Sequence, residues 1–253
     1  MIRRKLRDAG VGKVEGIRWR GKEVSRLEGF SDSVFAFALT LIVVSLEVPH
    51  TFNDLVGTMK GFIPFGICFA FIIQLWRAHY LYFRHFGLED TITMVLNALL
   101  LFVVLFYVYP LKFVVSLGAN SLMGGPDTVR LPDGTLQAII QPGQSGTMML
   151  IYSTGFITVW VLYALLYVHA LNQREQLELT PLEVFDTKTR LTDFLIYIAA
   201  GLISIVIILI LGSRGANIAG FSYFLIGVGM SVHRSIAGRR RRKFEEEMGL
   251  VTG

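Results

Sequence analysis

The chain has 253 residues, of which 53% are apolar and only 17% are charged, and its mean hydropathy is +0.56. A soluble domain of ordinary composition carries about a quarter charged residues. The net charge is +5, and the single cysteine, Cys68, rules out both an intramolecular disulfide framework and a cysteine-based zinc site. These values exclude a disordered chain, a disulfide scaffold and a compact soluble enzyme. They indicate an integral membrane protein.

Six runs of mostly apolar residues are long enough, or nearly so, to cross roughly 30 Å of hydrocarbon as helices. Their continuous hydrophobicity differs from the alternating pattern of a transmembrane β-barrel. In lipid, a helix satisfies its own backbone hydrogen bonds, so we predict an all-α protein with six transmembrane helices. The predicted spans are residues 30–48, 61–82, 92–111 (or as far as 117), 147–169, 194–211 and 216–232.

Lys and Arg are distributed unevenly between the two sides of these spans. Twenty of the 24 fall on the side that carries both chain ends. Positive residues are retained on the cytoplasmic side, so we predict that both termini are cytosolic and that the number of spans is even. The four basic residues on the opposite side are Lys60, Lys112, Arg130 and Arg214.

This topology predicts three regions. Residues 1–29 form a basic cytosolic arm, residues 30–236 form the six-span domain, and residues 237–253 form a charged cytosolic tail. The extracytoplasmic loop, about 119–146, contains a Pro-Asp-Gly sequence at 132–134 that predicts a small hairpin. The basic run at 239–243 would suggest nucleic-acid binding in isolation. Its position directly after the last span favours a topology anchor beside anionic lipid headgroups instead, so no nucleic-acid partner is expected.

Several polar side chains near the cytosolic ends of the first three spans share one depth. A carboxylate at that depth needs a cation or hydrogen-bond donors, so Arg26 and His79 are the expected partners of Asp32. A network of this kind would clamp helices together. The alternative is that the side chains reach independently to the interface, as we expect for Arg77 and Arg84. The members of the predicted layer are Arg26, Ser31, Asp32, His79 and Asn97.

The first span carries an apolar stripe at three- and four-residue spacing. Thr40 borders the stripe, and Glu47 lies at its outer end. On composition alone, such a stripe faces lipid or the protein core. Its members are Phe30, Val34, Phe37, Leu41, Val44 and Val48.

The start of this span reads Arg26-x-x-x-Phe30-Ser31-Asp32 and continues into the apolar helix. It resembles the signature of the transmembrane protein 175 family. Trp76-Arg77-Ala78-His79 in the second span, and Asn97 with Pro110 in the third, extend the resemblance. The resemblance implies a potassium-selective cation channel of the single-repeat prokaryotic form. It further implies a homotetramer in the plasma membrane, with the first helices lining a central pore.

The family lacks the Thr-Val-Gly-Tyr-Gly carbonyl filter of ordinary potassium channels, and this sequence lacks it too. By position, the resemblance places the pore constriction at Phe37, Leu41 and Val44, and a potassium-favouring hydroxyl ring at Thr40. The family usually has Ile or Leu where this chain has Phe37. Glu47 would lie at the outer mouth.

The same resemblance assigns the remaining motif residues to a structural network. Its members are Arg26, Phe30, Ser31, Asp32, Trp76, His79 and Asn97.

Other classes of function remain as alternatives. An enzyme needs a convergent catalytic set, and the five histidines show no metal-ligand spacing with carboxylates, so neither enzymatic activity, a cofactor nor a bound metal is expected. A secondary transporter would have interrupted helices, for which Pro64 and Gly201 are weak candidates. A proton conductance is open because His79 is a residue type that titrates near neutral pH.

Overall fold

A computed structural model describes residues 13–14, 17–21, 23–44, 50–131 and 133–247. Helices dominate, and two short hairpins complete the architecture. Two 3₁₀ turns, Gly212–Gly215 and Ser222–Phe224, interrupt the C-terminal part of the chain. The strands are β1 (Lys13–Val14), β2 (Ile17–Arg18), β3 (Thr128–Arg130) and β4 (Leu136–Ala138). The helices are α1 (Arg26–Val44), α2 (Phe52–Lys60), α3 (Phe62–Phe86), α4 (Thr91–Leu122), α5 (Gln144–Asn172), α6 (Pro181–Leu211), α7 (Ala216–Phe221) and α8 (Leu225–Glu247).

Within the described residues, four helical segments are long and apolar enough to cross a membrane. Three are α3, α4 and α5, which contain the second, third and fourth predicted spans. The fourth is the stretch Pro181–Glu247, which contains the fifth and sixth. Helix α1 covers the first predicted span up to residue 44, and the rest of that span, 45–48, lies outside the described residues. The protein is therefore a multi-pass helical membrane protein.

The last predicted span is not a single helix. It begins in α7, passes through the 3₁₀ turn Ser222–Phe224 and continues in α8. Helix α8 then runs through residue 237 to Glu247 without interruption. The predicted boundary between membrane domain and tail thus falls inside one helix.

Helix ends are set by local sequence. The Thr180 hydroxyl accepts from the Glu183 amide while the Glu183 carboxylate accepts from the Thr180 amide, which is a capping box, and Pro181 occupies the first helical position of α6. Gly87 ends α3 at φ 58°, where its amide donates to the Phe83 carbonyl. Glycine is favoured there because other residues are strained at positive φ.

The predicted loop hairpin is confirmed. β3 and β4 pair antiparallel with Val129 opposite Gln137, around a turn that contains Asp133 and Gly134.

Helix packing forms one main core. Helix α1 packs on α3 and α4, α5 packs on α4 and α6, and α8 packs on α6. Aromatic rings fill the centre of this core, where Trp160 of α5 stacks on Tyr197 of α6 with ring centroids 4.0 Å apart. Between α4 and α5, Gly155 faces the Tyr107 ring so closely that an added Cβ would clash with it. A small residue at that position is what lets the two helices approach.

The two ends of the described chain lie at the same end of the bundle. Arg18 contacts Glu183 in the first turn of α6, and Arg241 of α8 contacts Asp186 one turn later. Both contacts are made at the N-terminal end of α6.

A candidate pore face and the polar cluster behind it

Helix α1 has two faces of different character. Its buried face repeats at three- and four-residue intervals and packs into the core. The members of this face are Glu28, Ser31, Phe35, Ala38 and Ile42. The opposite face is exposed in the part of the chain that the structure describes. Its members, which we call the open face, are Phe30, Ser33, Ala36, Phe37, Thr40 and Val43.

Two predicted pore residues lie on the open face. Phe37 is 55% exposed, and Thr40 is exposed with its hydroxyl donating to the Ala36 carbonyl at 3.0 Å. Leu41 is half-buried at the edge of that face. Val44 is the last described residue of α1. The side chain of Val44 and all of Glu47 lie outside the described residues.

The open face is rotated about the helix axis relative to the apolar stripe predicted from sequence. Ser33 and Thr40 lie near its middle, whereas Val34 and Leu41 are half-buried. The rotation follows from the polar residues on the other side, because Ser31 and Glu28 have buried partners and turn their face inward.

Behind α1, three buried polar side chains form a continuous hydrogen-bonded chain. His79 Nε2 lies 2.9 Å from Asn97 Oδ1, and Asn97 Nδ2 donates to Ser31 Oγ at 2.9 Å. Ser31 Oγ in turn donates to the Leu27 carbonyl at 2.8 Å. The amide oxygen of Asn97 only accepts, so the contact favours the tautomer of His79 that carries its proton on Nε2. The chain joins α1, α3 and α4 at one depth.

Asp32 has a different partner from the ones expected. Its Oδ1 accepts from the indole Nε1 of Trp76 at 2.8 Å, whereas His79 bonds to Asn97. Arg26, at the first residue of α1, is exposed. Phe30 is also exposed, so it lies on the opposite side of the helix from the polar chain.

The structure shows an ion pair at the start of α1 that the sequence did not predict. Arg84 was expected to reach the interface, but it is buried and its Nη2 lies 2.7 Å from Glu28 Oε1. Its Nη1 also donates to the Gly21 carbonyl at 3.0 Å. Glu28 occupies a variable position of the first-helix motif and Arg84 lies in no motif, so only the tertiary structure brings them together.

The N-terminal segment is held by a second carboxylate. Arg18 Nε and Arg20 Nη2 contact Glu183 at 3.1 and 2.9 Å, and the Arg20 amide donates to the Arg84 carbonyl at 3.0 Å. The hydrogen bond with Glu183 raises the pKa of Arg18 above its ordinary value, against the effect of partial burial. The segment therefore links α6, the end of α3 and the start of α1. The capping-box sequence at Thr180 could have identified Glu183 as a helix-capping residue, but no sequence pattern indicated its arginine partners.

The other end of α1 is capped by a lysine of α4. Lys112 Nζ donates to the Ile42 carbonyl at 2.9 Å. A cation at that place lies beside the last described turn of α1 and opposes the negative end of the helix dipole.

Asp90 joins the short connection between α3 and α4 to the end of α5. Its carboxylate accepts from the amides of Ile92 and Thr93 and lies 3.0 Å from His169 Nε2. Partial burial acts to raise the pKa of Asp90. The hydrogen bonds with His169 and Thr93 outweigh that effect and lower the pKa to about 2.

The amino-acid sequence and the fold both resemble known potassium channels. A family model described as endosomal/lysosomal potassium channel TMEM175 matches residues 26–107. A protein of Marivirga tractuosa named potassium channel is 36% identical over 247 residues, which are 96% of this chain and 100% of the relative. A potassium channel of Chamaesiphon minutus is 34% identical over 96 residues, 35% of this chain and 47% of the relative.

A solved structure extends the likeness to three dimensions. It is a threonine-to-alanine variant of the potassium channel MtTMEM175, in complex with a Nanobody–MBP fusion protein. It superposes with a TM-score of 0.75 at 36% identity, over 90% of this chain and 100% of that one.

The matched region contains the whole of α1 and the polar chain that holds it. The full-length relative extends the agreement across nearly all of the sequence. Members of this family are channels and not enzymes, as the sequence analysis expected. The chain belongs to the TMEM175 family of potassium channels.

Proposed function

We propose that four copies of this chain assemble around a central axis and conduct potassium between their α1 helices. In this arrangement the chain crosses the plasma membrane of a prokaryote six times, with both termini in the cytosol. The partners are the permeant potassium ion, the lipid bilayer and three further copies of the chain.

One observation carries the proposal, namely the division of α1 into a buried and an open face. Ala38 and Ile42 are fully buried where α1 packs on α3 and α4, while Phe37 and Thr40 on the other side are exposed among the described residues. A helix firmly held on one side and open on the other suits the wall of a pore. The similarity to proteins named potassium channels supports ion conduction along that open face.

The gate in this proposal is a ring of apolar side chains. Four copies each of Phe37, Leu41 and Val44 would narrow the passage until water leaves it, and dewetting of this kind closes a pore to hydrated ions. Opening would widen the rings enough for a largely dehydrated cation to pass.

Selectivity is assigned to the Thr40 hydroxyls. Each hydroxyl hydrogen is directed to the Ala36 carbonyl, which leaves the oxygen lone pairs available to a cation. Four such oxygens would replace part of the hydration shell without a carbonyl filter. Glu47 would raise the local cation concentration at the outer mouth.

The polar chain has a positioning role in this mechanism. Ser31, Asn97 and His79 fix the rotation of α1 about its axis, and so they fix which side chains face the pore. The ion pair of Arg84 with Glu28 and the cap by Lys112 hold its two ends.

The cytosolic placement of both termini rests on two features. The described chain ends meet at one end of the bundle, and 20 of the 24 basic residues fall on that side.

Reconstitution in liposomes tests the proposal. Vesicles holding the full chain are given an outward potassium or sodium gradient, and flux is followed with a voltage-sensitive dye. We expect rapid flux under the potassium gradient, much slower flux under the sodium gradient, and weaker discrimination in Thr40→Val. Correctly assembled protein that passes neither cation would overturn the proposal.

The same vesicles distinguish the alternatives. Unitary currents in a planar bilayer separate a channel from a secondary transporter, whose turnover is too slow to resolve. Flux driven by a pH gradient alone, and abolished in His79→Gln, would point to proton conduction instead.

A further inference from the structure

A cavity of about 360 Å³ opens between α3, α6 and α8 at the end of the bundle that holds both chain ends. Its volume lies at the lower end of the range of small-molecule sites, roughly 300–1,000 Å³. Four arginines and two aspartates supply its charge, and we call it the arginine pocket. The charged residues are Arg77, Arg190, Arg234, Arg241, Asp186 and Asp193.

Carboxylates pair with two of these arginines, and Arg241 has a further partner in Glu245, whose Oε1 lies 2.6 Å from its Nη1. Arg241 Nε lies 2.9 Å from Asp186 Oδ1, and Arg190 Nη1 lies 3.7 Å from Asp193 Oδ2. Both carboxylates are buried. Two positive charges remain in excess among the lining residues.

The composition of the pocket selects a class of ligand. A guanidinium group presents paired N–H donors in a planar fork that matches the oxygens of a phosphate, and several such groups converge here. A divalent cation is disfavoured by the excess positive charge. A neutral apolar ligand would offer these guanidinium groups no hydrogen-bond acceptor.

The position of the pocket suits a phosphate at a membrane surface. Asp193 and Arg234 lie at the cytosolic ends of the fifth and sixth predicted spans, where phospholipid headgroups are found. Leu195 on α6 and Val232 on α8 are exposed apolar residues on the same two helices, next in depth toward the hydrocarbon. Basic pockets between helices on the cytoplasmic side are a recurrent way of binding anionic headgroups.

We infer that the arginine pocket binds a phosphate group, supplied by the headgroup of an anionic phospholipid or by a soluble phosphate compound. This site is remote from the open face of α1, and its existence does not depend on the proposed ion conduction. It is distinct from the exposed basic run at 239–243, whose arginines other than Arg241 do not line the pocket.

The test measures ligand affinity through thermal stabilisation, because a ligand that binds the folded state raises its unfolding temperature. The full chain in neutral detergent is titrated with short-chain phosphatidylglycerol, with phosphatidylcholine of the same chain length, and with inorganic phosphate. The pocket variants are Arg234→Gln, which changes an exposed residue, and Arg190→Gln/Arg234→Gln. The matched control, Arg239→Gln/Arg240→Gln, removes the same charge from the same end of α8 outside the pocket.

We expect phosphatidylglycerol to bind the pocket variants roughly tenfold more weakly or worse, and the control nearly as well as the parent. Asp193→Asn removes a negative charge from the lining and is expected to tighten binding. If inorganic phosphate shows the same pattern, the source is soluble phosphate as well as lipid. If only phosphatidylglycerol does, the ligand is a headgroup.

Three results would overturn the inference. One is equal weakening in the pocket variants and the control, which would indicate general surface charge. Another is unchanged affinity in Arg190→Gln/Arg234→Gln. The last is equal stabilisation by phosphatidylcholine, which would indicate that the anionic headgroup is not recognised. None of these measurements depends on ion flux.

Discussion

At the scale of single residues, the main feature is a buried polar chain where a membrane protein would ordinarily place apolar side chains. Ser31, Asn97 and His79 come from three helices and have no exposed surface. Such hydrogen bonds contribute modestly to helix association in membranes, on average about 0.6 kcal/mol in measured cases. Leaving one partner unpaired costs more than the bond contributes, so the chain specifies one arrangement of α1.

We predict that Asn97→Ala destabilises the protein by about 1–3 kcal/mol, because both Ser31 Oγ and His79 Nε2 lose their buried partner. Thermal unfolding in detergent measures the loss. Ser33→Ala serves as the control, since the Ser33 hydroxyl is exposed and its bond within the described part of the chain is to the Gly29 carbonyl of its own helix. Equal unfolding temperatures for the two variants would show that the polar chain carries no stability.

A second prediction separates the two roles of Asp90. Asp90→Asn keeps a good N-cap for α4 but removes the charge beside His169, whereas Asp90→Ala removes both. We expect the alanine variant to be less stable than the asparagine variant by about 0.5–2 kcal/mol, as measured by thermal unfolding. If the two variants have the same unfolding temperature, the N-cap contributes no stability.

The lowered pKa of Asp90 also predicts a pH dependence. Because the folded state holds the pKa at about 2, below the ordinary 3.8, the carboxylate contributes stability that is complete above pH 3.8. That contribution is lost as the pH falls through about 2. The unfolding temperatures of the parent and Asp90→Asn should therefore differ at pH 6 and converge toward pH 2. A constant difference would contradict the assignment.

At the scale of elements, α1 is held at both ends and along one face. Arg84 pairs with Glu28 at its start, Lys112 caps the Ile42 carbonyl near its end, and Ala38 packs fully buried between them. With those restraints, rotation of the helix would break several contacts at once. These contacts therefore fix the direction in which the side chains of the open face point.

We predict that Phe37→Ala raises basal potassium leak in liposomes, because the change removes the bulkiest proposed gate side chain. Phe224→Ala makes the same chemical change at another exposed phenylalanine, in the turn between α7 and α8, and should leave the leak as in the parent. Equal leak from Phe37→Ala and the parent would show that Phe37 does not form the gate.

At the scale of the whole molecule, the N-terminal segment ties distant parts of the chain together. Glu183 at the start of α6 receives Arg18 and Arg20, and the backbone beyond them pairs with Arg84 at the end of α3. Gly21 allows this approach, since a side chain there would meet the Phe83 carbonyl. The segment therefore links the start of α6 to the end of α3 and, through Arg84, to the start of α1.

We predict that Glu183→Gln frees this segment and speeds trypsin cleavage after Arg18 and Arg20 by about tenfold. Mass spectrometry of the released peptides gives the rate at each site in the full chain. Glu175→Gln changes an exposed glutamate in the same connection before α6 and should cleave at the parental rate. Parental rates for Glu183→Gln would mean that other contacts hold the segment.

The sequence by itself determined the membrane class, the approximate positions of most of the long apolar helices, and the family. Long apolar runs are sufficient to predict helices in lipid, because no other local structure satisfies the backbone there. The Arg26-x-x-x-Phe30-Ser31-Asp32 motif identified the helix that carries the candidate site. The Pro-Asp-Gly sequence predicted the β3–β4 hairpin from local backbone preference.

Only the tertiary structure decided which partners the polar residues find and which face of α1 stays open. Asp32 pairs with Trp76 and Arg84 with Glu28 because helix packing brings together side chains that are 44 and 56 residues apart in the sequence. Hydrophobic spacing cannot reveal such pairs, since it records only which side of a helix is apolar. In a membrane both the lipid-facing and the core-facing sides are apolar, so the choice between them depends on contacts between helices.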